Sequence, residues 1–274
     1  MSHLAQQGLK YRTIKVYLSA VRHLQIAGNY PDPFGGSPMP KLEYVLRGVK
    51  KHEAEKGEGK RPRLPITPEI LRRLKSQWEP TAHTWDTRMV WAVCCLGFFA
   101  FLRVGEFTVP DDISYDHSVH LSFGDIALDD LKNPTVLQVS IKQSKTDPFR
   151  KGVTLYVGRT GVDLCPVAAM LSYLELRGCR PGPLFLFQSQ KPLTRPRFVA
   201  VVREALGKSG LDERNYCSHS FRIGAATTAA SRGLEDCIIK TLGRWESVAY
   251  LQYEIRATNF KLGHEQGDRM TEND

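Results

Sequence analysis

The sequence predicts a mainly α, α+β chain: a helical core with a small antiparallel sheet, preceded by a short helical module. Three observations carry this. Apolar residues recur at helical spacing toward both ends, period-2 alternation is confined to the middle, and a polar stretch near residue 60 separates two differently charged parts. The 274 residues are ample for a hydrophobic core, and 42% apolar with 24% charged residues excludes a wholly disordered chain.

The first helix is marked by Ile14, Tyr17, Leu18, Val21 and Leu24, with Gly28 as its stop. Lys10, Arg12, Lys15, Arg22 and His23 occupy its other positions. A turn-rich stretch follows. Leu42, Val45, Leu46 and Val49 then give a second amphipathic helix bearing Lys41, Arg47, Lys50 and Lys51. Two helices make a thin domain, so residues 1–51 are expected to be an incomplete helical module. Residues 52–65, HEAEKGEGKRPRLP, have almost no apolar content and read as a linker. Thr67 and Pro68 start the next helix as N-cap and first helical residue, with Ile70, Leu71, Leu74 and Trp78 as its apolar face.

The apolar run 89–102 is too short to span a bilayer comfortably and ends at Arg103, so it predicts a buried helix. Val119, Leu121 and Phe123 alternate, as do Val139 with Ile141, and Val153, Leu155 and Val157. These predict short strands, the last two flanking a polar hairpin loop over 143–148. Helices are expected again at 166–177, 194–208, 221–231, 235–242 and 246–255. The main domain is thus expected over 66–256, with a polar tail at 257–274.

The charge is uneven. Of the formal +9, residues 1–65 hold 12 basic against 5 acidic side chains, which points to a polyanion, nucleic acid before membrane surface. None of the six cysteines forms a CxxC pair and no secretory leader opens the chain, so a reduced intracellular setting is expected.

Four places hold polar residues where packing alone would not want them. Arg103 follows the apolar run in FLRVGE, where a buried charge must be paired or must bind something. Lys145 sits in the hairpin loop. Ser218, His219, Ser220, Phe221 and Arg222 open a helix whose free N–H groups favour an anion. Gly243, Arg244 and Trp245 precede Tyr250 and Tyr253.

The ordered pieces FLRVGE, QSKTD, HSFR and LGRW, with a tyrosine soon after, resemble the tyrosine recombinases of the phage-integrase superfamily. The likeness runs from about residue 10 to 256. The wording TIKVYLSAVRHL, FFAFLRVGEF, SKTDPFRKG and HSFRIGAAT is most similar to recombinases of DIRS-type retrotransposons and related eukaryotic elements. The resemblance implies site-specific cleavage and rejoining of DNA through a 3′-phosphotyrosyl link, a step needing no cofactor or metal. It implies Arg103 and Arg222 as the phosphate clamp and Lys145 as general acid at the leaving 5′-oxygen. His219 assists proton transfer, the Trp245 indole donates to a phosphate oxygen, and Tyr253 is the nucleophile. Glu106 orients Arg103 or buttresses the pocket. Tyr250, one turn earlier, stays open as the nucleophile.

The same resemblance makes residues 1–51 a core-binding, DNA-clamping domain, with Lys10, Arg12, Lys15, Arg22, Lys50 and Lys51 facing phosphates. It implies double-stranded DNA as partner, self-assembly into dimers or tetramers on it, a mobile-element origin and a nuclear location, with no membrane. Two other functions stay open: a domesticated, non-catalytic DNA-binding protein, and a type IB topoisomerase-like activity.

Overall fold

The computed structural model describes residues 2–35, 39–55, 63–144, 147 and 149–246. They fall into two compact units that part between Pro62 and Arg63.

The first unit holds α1 (Ser2–Gln6), α2 (Tyr11–Ala27) and α3 (Pro40–Glu55). α2 stops where the Gly28 N–H turns back to the Leu24 carbonyl at 3.0 Å. α1 was not expected from the sequence. α3 runs four residues into the expected linker, because His52–Glu55 contains no Gly or Pro and Lys51 pairs with Glu55 one turn on. The Tyr11 N–H, at the start of α2, donates to the Glu53 carboxylate and ties the two helices. Only part of the expected apolar face of α2 is covered. Ile14 is buried and Leu18 half-buried, whereas Tyr17, Val21 and Leu24 are exposed.

The second unit begins with α4 (Pro68–Trp78), capped by the Thr67 hydroxyl, which accepts the Ile70 N–H at 3.4 Å. α5 (Trp85–Phe99) is apolar all round after its first turn and, apart from half-buried Trp91, buried from Met89 to Phe98, as a central core helix must be. The apolar run does not continue as helix to Arg103. α5 ends at Phe99, Phe101 takes a left-handed conformation (φ 51°), and Arg103 caps a new short helix, α6 (Val104–Phe107).

A three-stranded antiparallel sheet follows in the order β1 (Ile126–Leu128), β2 (Val136–Ile141), β3 (Val153–Gly158), with Val139 opposite both Ile126 and Leu155. Leu137, Val139 and Ile141 form the buried face of β2. The strand expected at Val119, Leu121 and Phe123 is absent. Phe123–Asp125 is a 3₁₀ turn held by the Ser122 N–H on the Asp125 carboxylate at 2.7 Å. Leu121 fills the core there, and the Phe123 ring covers the Arg177 guanidinium at 4.9 Å. Alternation in that stretch reflects a loop with two anchors, not a pleat.

α7 (Pro166–Arg177), α8 (Arg195–Lys208), α9 (Ser220–Ser231) and α10 (Asp236–Gly243) complete the unit. α5 packs against α7 and α9, and α4 against α8. The helix expected at 246–255 falls outside the described residues beyond Glu246. Cys94 and Cys95 are buried on α5, and loss of water pushes both thiols up. Among the described residues, no helix is long and apolar enough to cross a membrane and no His, Cys, Asp and Glu cluster could hold a metal ion.

Two close fits position the functional region. The Leu64 N–H donates to the Asn215 carbonyl at 2.9 Å and the Ile66 N–H to the Ser220 carbonyl at 3.0 Å. This draws residues 64–66 so tightly along α9 that a Cβ on Gly224 would lie 1.8 Å from the Ile66 carbonyl oxygen. Only glycine allows that approach. At the end of α7, Arg177 is 1% exposed and, among the described residues, has no carboxylate partner in its hydrogen bonds. Its guanidinium donates instead to the carbonyls of Leu184 (2.9 Å), Gly178 (3.1 Å), Arg180 (2.6 Å) and Pro183 (2.8 Å), folding the chain after α7 around itself.

Candidate active site

Five of the sequence-predicted residues come together: Arg103, Glu106, His219, Arg222 and Trp245. Arg103 and Glu106 are fixed by α6. The Glu106 carboxylate caps that helix by accepting the Arg103 backbone N–H at 2.8 Å, and it takes Arg103 Nη1 at 3.1 Å. Arg222 is the third residue of α9, within its first turn, and 1% exposed. Its Nη1 donates to the Phe101 carbonyl at 2.9 Å and its Nη2 to the Gly243 carbonyl. The guanidinium lies 4.4 Å from the centre of the Trp245 ring, within cation–π range. Trp245 also meets the Phe101 ring edge-to-face at 6.2 Å. Gly243 makes room for that indole, since a Cβ there would sit 1.6 Å from a ring carbon.

His219 precedes α9 as its N-cap. Burial pushes its imidazole down to about 4, and the positive charges of Arg222, Arg63, Arg103 and Arg195 push in the same direction. Four guanidinium groups therefore act on one neutral imidazole. The nearest carboxylate of the cluster, Glu106, is already committed to arginines. A region built this way favours an anion.

Sequence reasoning missed one residue of the cluster. Arg244 places Nη1 3.2 Å from Glu106 Oε1 and Nη2 2.9 Å from Oε2, and also donates to the Phe101 carbonyl at 3.2 Å. The signal in the sequence was an arginine beside a candidate tryptophan, with its partner 138 positions away.

Lys145, Tyr250 and Tyr253 lie outside the described residues. Lys142, which enters the same loop, is held by the Asp125 carboxylate at 2.6 Å and by the Ser122 hydroxyl at 3.1 Å, so it serves the loop's structure. In the first unit Lys10, Arg12, Lys15, Lys50 and Lys51 are exposed. Arg22 is exposed too, but its Nε donates to both Asp32 oxygens at 3.0 and 2.9 Å, so its charge is largely matched. The second unit has two concavities. One of about 400 Å³ is lined by Phe98, Phe99, Leu234 and by Phe101 of the cluster, and one of about 250 Å³ by Trp78, Trp91 and Cys165.

The mainly helical unit with its three-stranded antiparallel sheet has the fold of the tyrosine recombinase catalytic domain. Among solved structures, the chain is similar to the Tn1549 transposon integrase in complex with circular intermediate DNA. The TM-score is 0.54 at 13% identity, covering 95% of this chain and 81% of that one. It is also similar to the XerH site-specific recombinase bound to its palindromic difH substrate, with a TM-score of 0.52 and 15% identity, covering 77% of this chain and 54% of that one. In sequence it is 24% identical over 265 residues to an integrase/recombinase xerD homolog of Selenomonas ruminantium, covering 91% of this chain and 70% of the relative. No family model matches. These likenesses support a place in the tyrosine recombinase/integrase superfamily.

Proposed function

We propose that the chain is a site-specific DNA recombinase that cuts and rejoins strands through a 3′-phosphotyrosyl intermediate. One observation carries this: Arg103, Arg222, His219 and Trp245 share one cationic cluster, on the fold of enzymes that act on DNA. In the proposed step, the cationic cluster favours the Tyr253 phenolate, and the phenol proton passes to water with His219 assisting the transfer. The phenolate oxygen attacks phosphorus, forming a P–O bond as the bond to the 5′-oxygen breaks. Lys145 protonates that leaving oxygen. Arg103 and Arg222 offset the charge that builds on the phosphoryl oxygens, and the indole of Trp245 holds Arg222 in place. The ester energy stays in the phosphotyrosyl bond, so a free 5′-hydroxyl can reverse the step.

The 8 basic residues within 1–51 support a DNA-clamping role for the first helical module, and assembly into dimers or tetramers on the duplex follows from exchange between two sites. The motif wording shared with DIRS-type recombinases supports a eukaryotic mobile-element origin and action on nuclear DNA.

Nicked suicide duplexes test the chemistry, because the short 5′-hydroxyl strand diffuses away and the adduct accumulates. Tyr253→Phe should abolish the adduct with DNA binding retained, and Arg222→Ala should slow it by roughly 10²–10³-fold, as for loss of an oxyanion donor. Adduct surviving in Tyr253→Phe but lost in Tyr250→Phe would move the nucleophile one turn. DNA binding without any adduct from the unmutated chain would favour the non-catalytic reading.

A further inference from the structure

Arg244 bonds to the segment that holds Arg103, and one acceptor it uses there is also used by Arg222. With Arg103 it shares the Glu106 carboxylate, and with Arg222 it shares the Phe101 carbonyl. The Glu106 side chain is 3% exposed and receives four donations, two from Arg103 and two from Arg244. Arg244 itself caps α10 in the left-handed region (φ 53°), a backbone state that non-glycine residues adopt at a cost and that persists where its surroundings impose it. Phe101, whose carbonyl Arg244 and Arg222 both use, is left-handed as well. Two strained residues from opposite halves of the unit thus meet at one carbonyl.

We infer that Arg244 is a positioning residue for the anion cluster, acting through Glu106. Glu106 is one buried negative charge close to Arg103. Left to Arg103 alone, that carboxylate would take both arms of its guanidinium and cancel its charge. Arg244 meets the carboxylate fork-on-fork instead. The three groups then carry one net positive charge, and Arg103 needs to spend only one side-chain nitrogen on Glu106, leaving donors for a phosphoryl oxygen. The inference rests on the proposed reading of the site, which supplies the phosphate.

The distinguishing feature is that removing Glu106 should compensate for removing Arg244. We would compare the full chain with Arg244→Met and with the double variant Arg244→Met/Glu106→Gln, scoring adduct formation on suicide duplexes and duplex affinity. Arg244→Met should slow the adduct by about 30-fold or more with duplex affinity within about threefold, and the double variant should recover at least about tenfold. A merely structural Arg244 predicts instead that loss and recovery follow the folded fraction, read as urea midpoints of the same variants, and vanish when rates are compared under conditions where all of them are folded. That outcome, or an Arg244→Met rate within about threefold of the parent, overturns the inference. If Arg244→Met alone does not fold, the double variant decides by itself: a rate within about tenfold of the parent supports the inference, and a greater loss overturns it. If the parent forms no adduct on any duplex, the proposed function fails. The affinity of the same variants for orthovanadate, a phosphoryl mimic, then decides the inference by the same pattern of loss and recovery.

Discussion

Protonation of His219 is opposed by burial and by four guanidinium charges, which sets its folded-state value near 4 against an ordinary 6.5. Between those values the unfolded chain binds more protons than the folded one. Stability from this group is therefore complete above about pH 6.5 and is lost as pH falls toward 4, by up to about 3 kcal/mol. Urea midpoints at pH 7 and 4.5 should differ less in His219→Gln than in the parent. An equal drop in both proteins would show that the depressed imidazole contributes nothing. Arg177 gives a second residue-scale prediction. Arg177→Ala strands the carbonyls of Gly178, Arg180 and Pro183 (Leu184 keeps the Tyr173 hydroxyl) and opens a cavity, and should cost about 3–5 kcal/mol in denaturant unfolding. Arg177→Lys cannot reproduce the fork and should recover only part of that. Neither Arg177 nor Arg244 was legible as special in the sequence. A basic residue in the last turn of a helix ordinarily faces solvent, and nothing local signals that the chain returns to bury it. Arg103 was legible because an apolar run precedes it, and His219 and Arg222 because HSFR opens a helix and follows FLRVGE in a recognisable order.

At the scale of elements, side-chain caps made boundaries readable. Thr67 before Pro68 and Thr194 before Arg195 each accept an N–H from the first turn, where the sequence placed helix starts. The β2–β3 hairpin was readable from its alternation. The 119–123 stretch was not, because period-2 spacing also arises when a loop drops single anchors into a core. The end of α5 was misplaced for a related reason. Phe101 and Leu102 are as apolar as the helix before them, and only the left-handed turn at Phe101 separates the two. Gly224→Ala is the sharpest test of how α9 is seated. Alanine favours a helix over glycine by about 1 kcal/mol. Here the added carbon would fall 1.8 Å from the Ile66 carbonyl oxygen, so the clash must win. The variant should unfold at lower denaturant and lose the adduct; a stabilised Gly224→Ala would mean that residues 64–66 are not held against α9.

For the whole molecule, the second unit contains its own core around α5, so residues 63–274 expressed alone should unfold as one cooperative transition. The separated fragment should bind duplex DNA more weakly than the full chain. The full chain's affinity should fall steeply with salt, each phosphate contact adding about 0.9 to the log–log slope. Arg12→Glu with Lys15→Glu should weaken binding alike on unrelated sequences and flatten that slope. Arg22→Ala should do less, because Asp32 already holds its guanidinium.

The short stitch between residues 64–66 and the start of α9 also makes a load path. Any tension arriving along the chain at Arg63 is taken first by the hydrogen bonds from Leu64 to Asn215 and from Ile66 to Ser220. Those bonds flank His219 and end beside the turn that carries Arg222. A pull on the incoming chain is therefore felt at His219 before it reaches the core, so the first bonds to carry that load are the ones beside the candidate site.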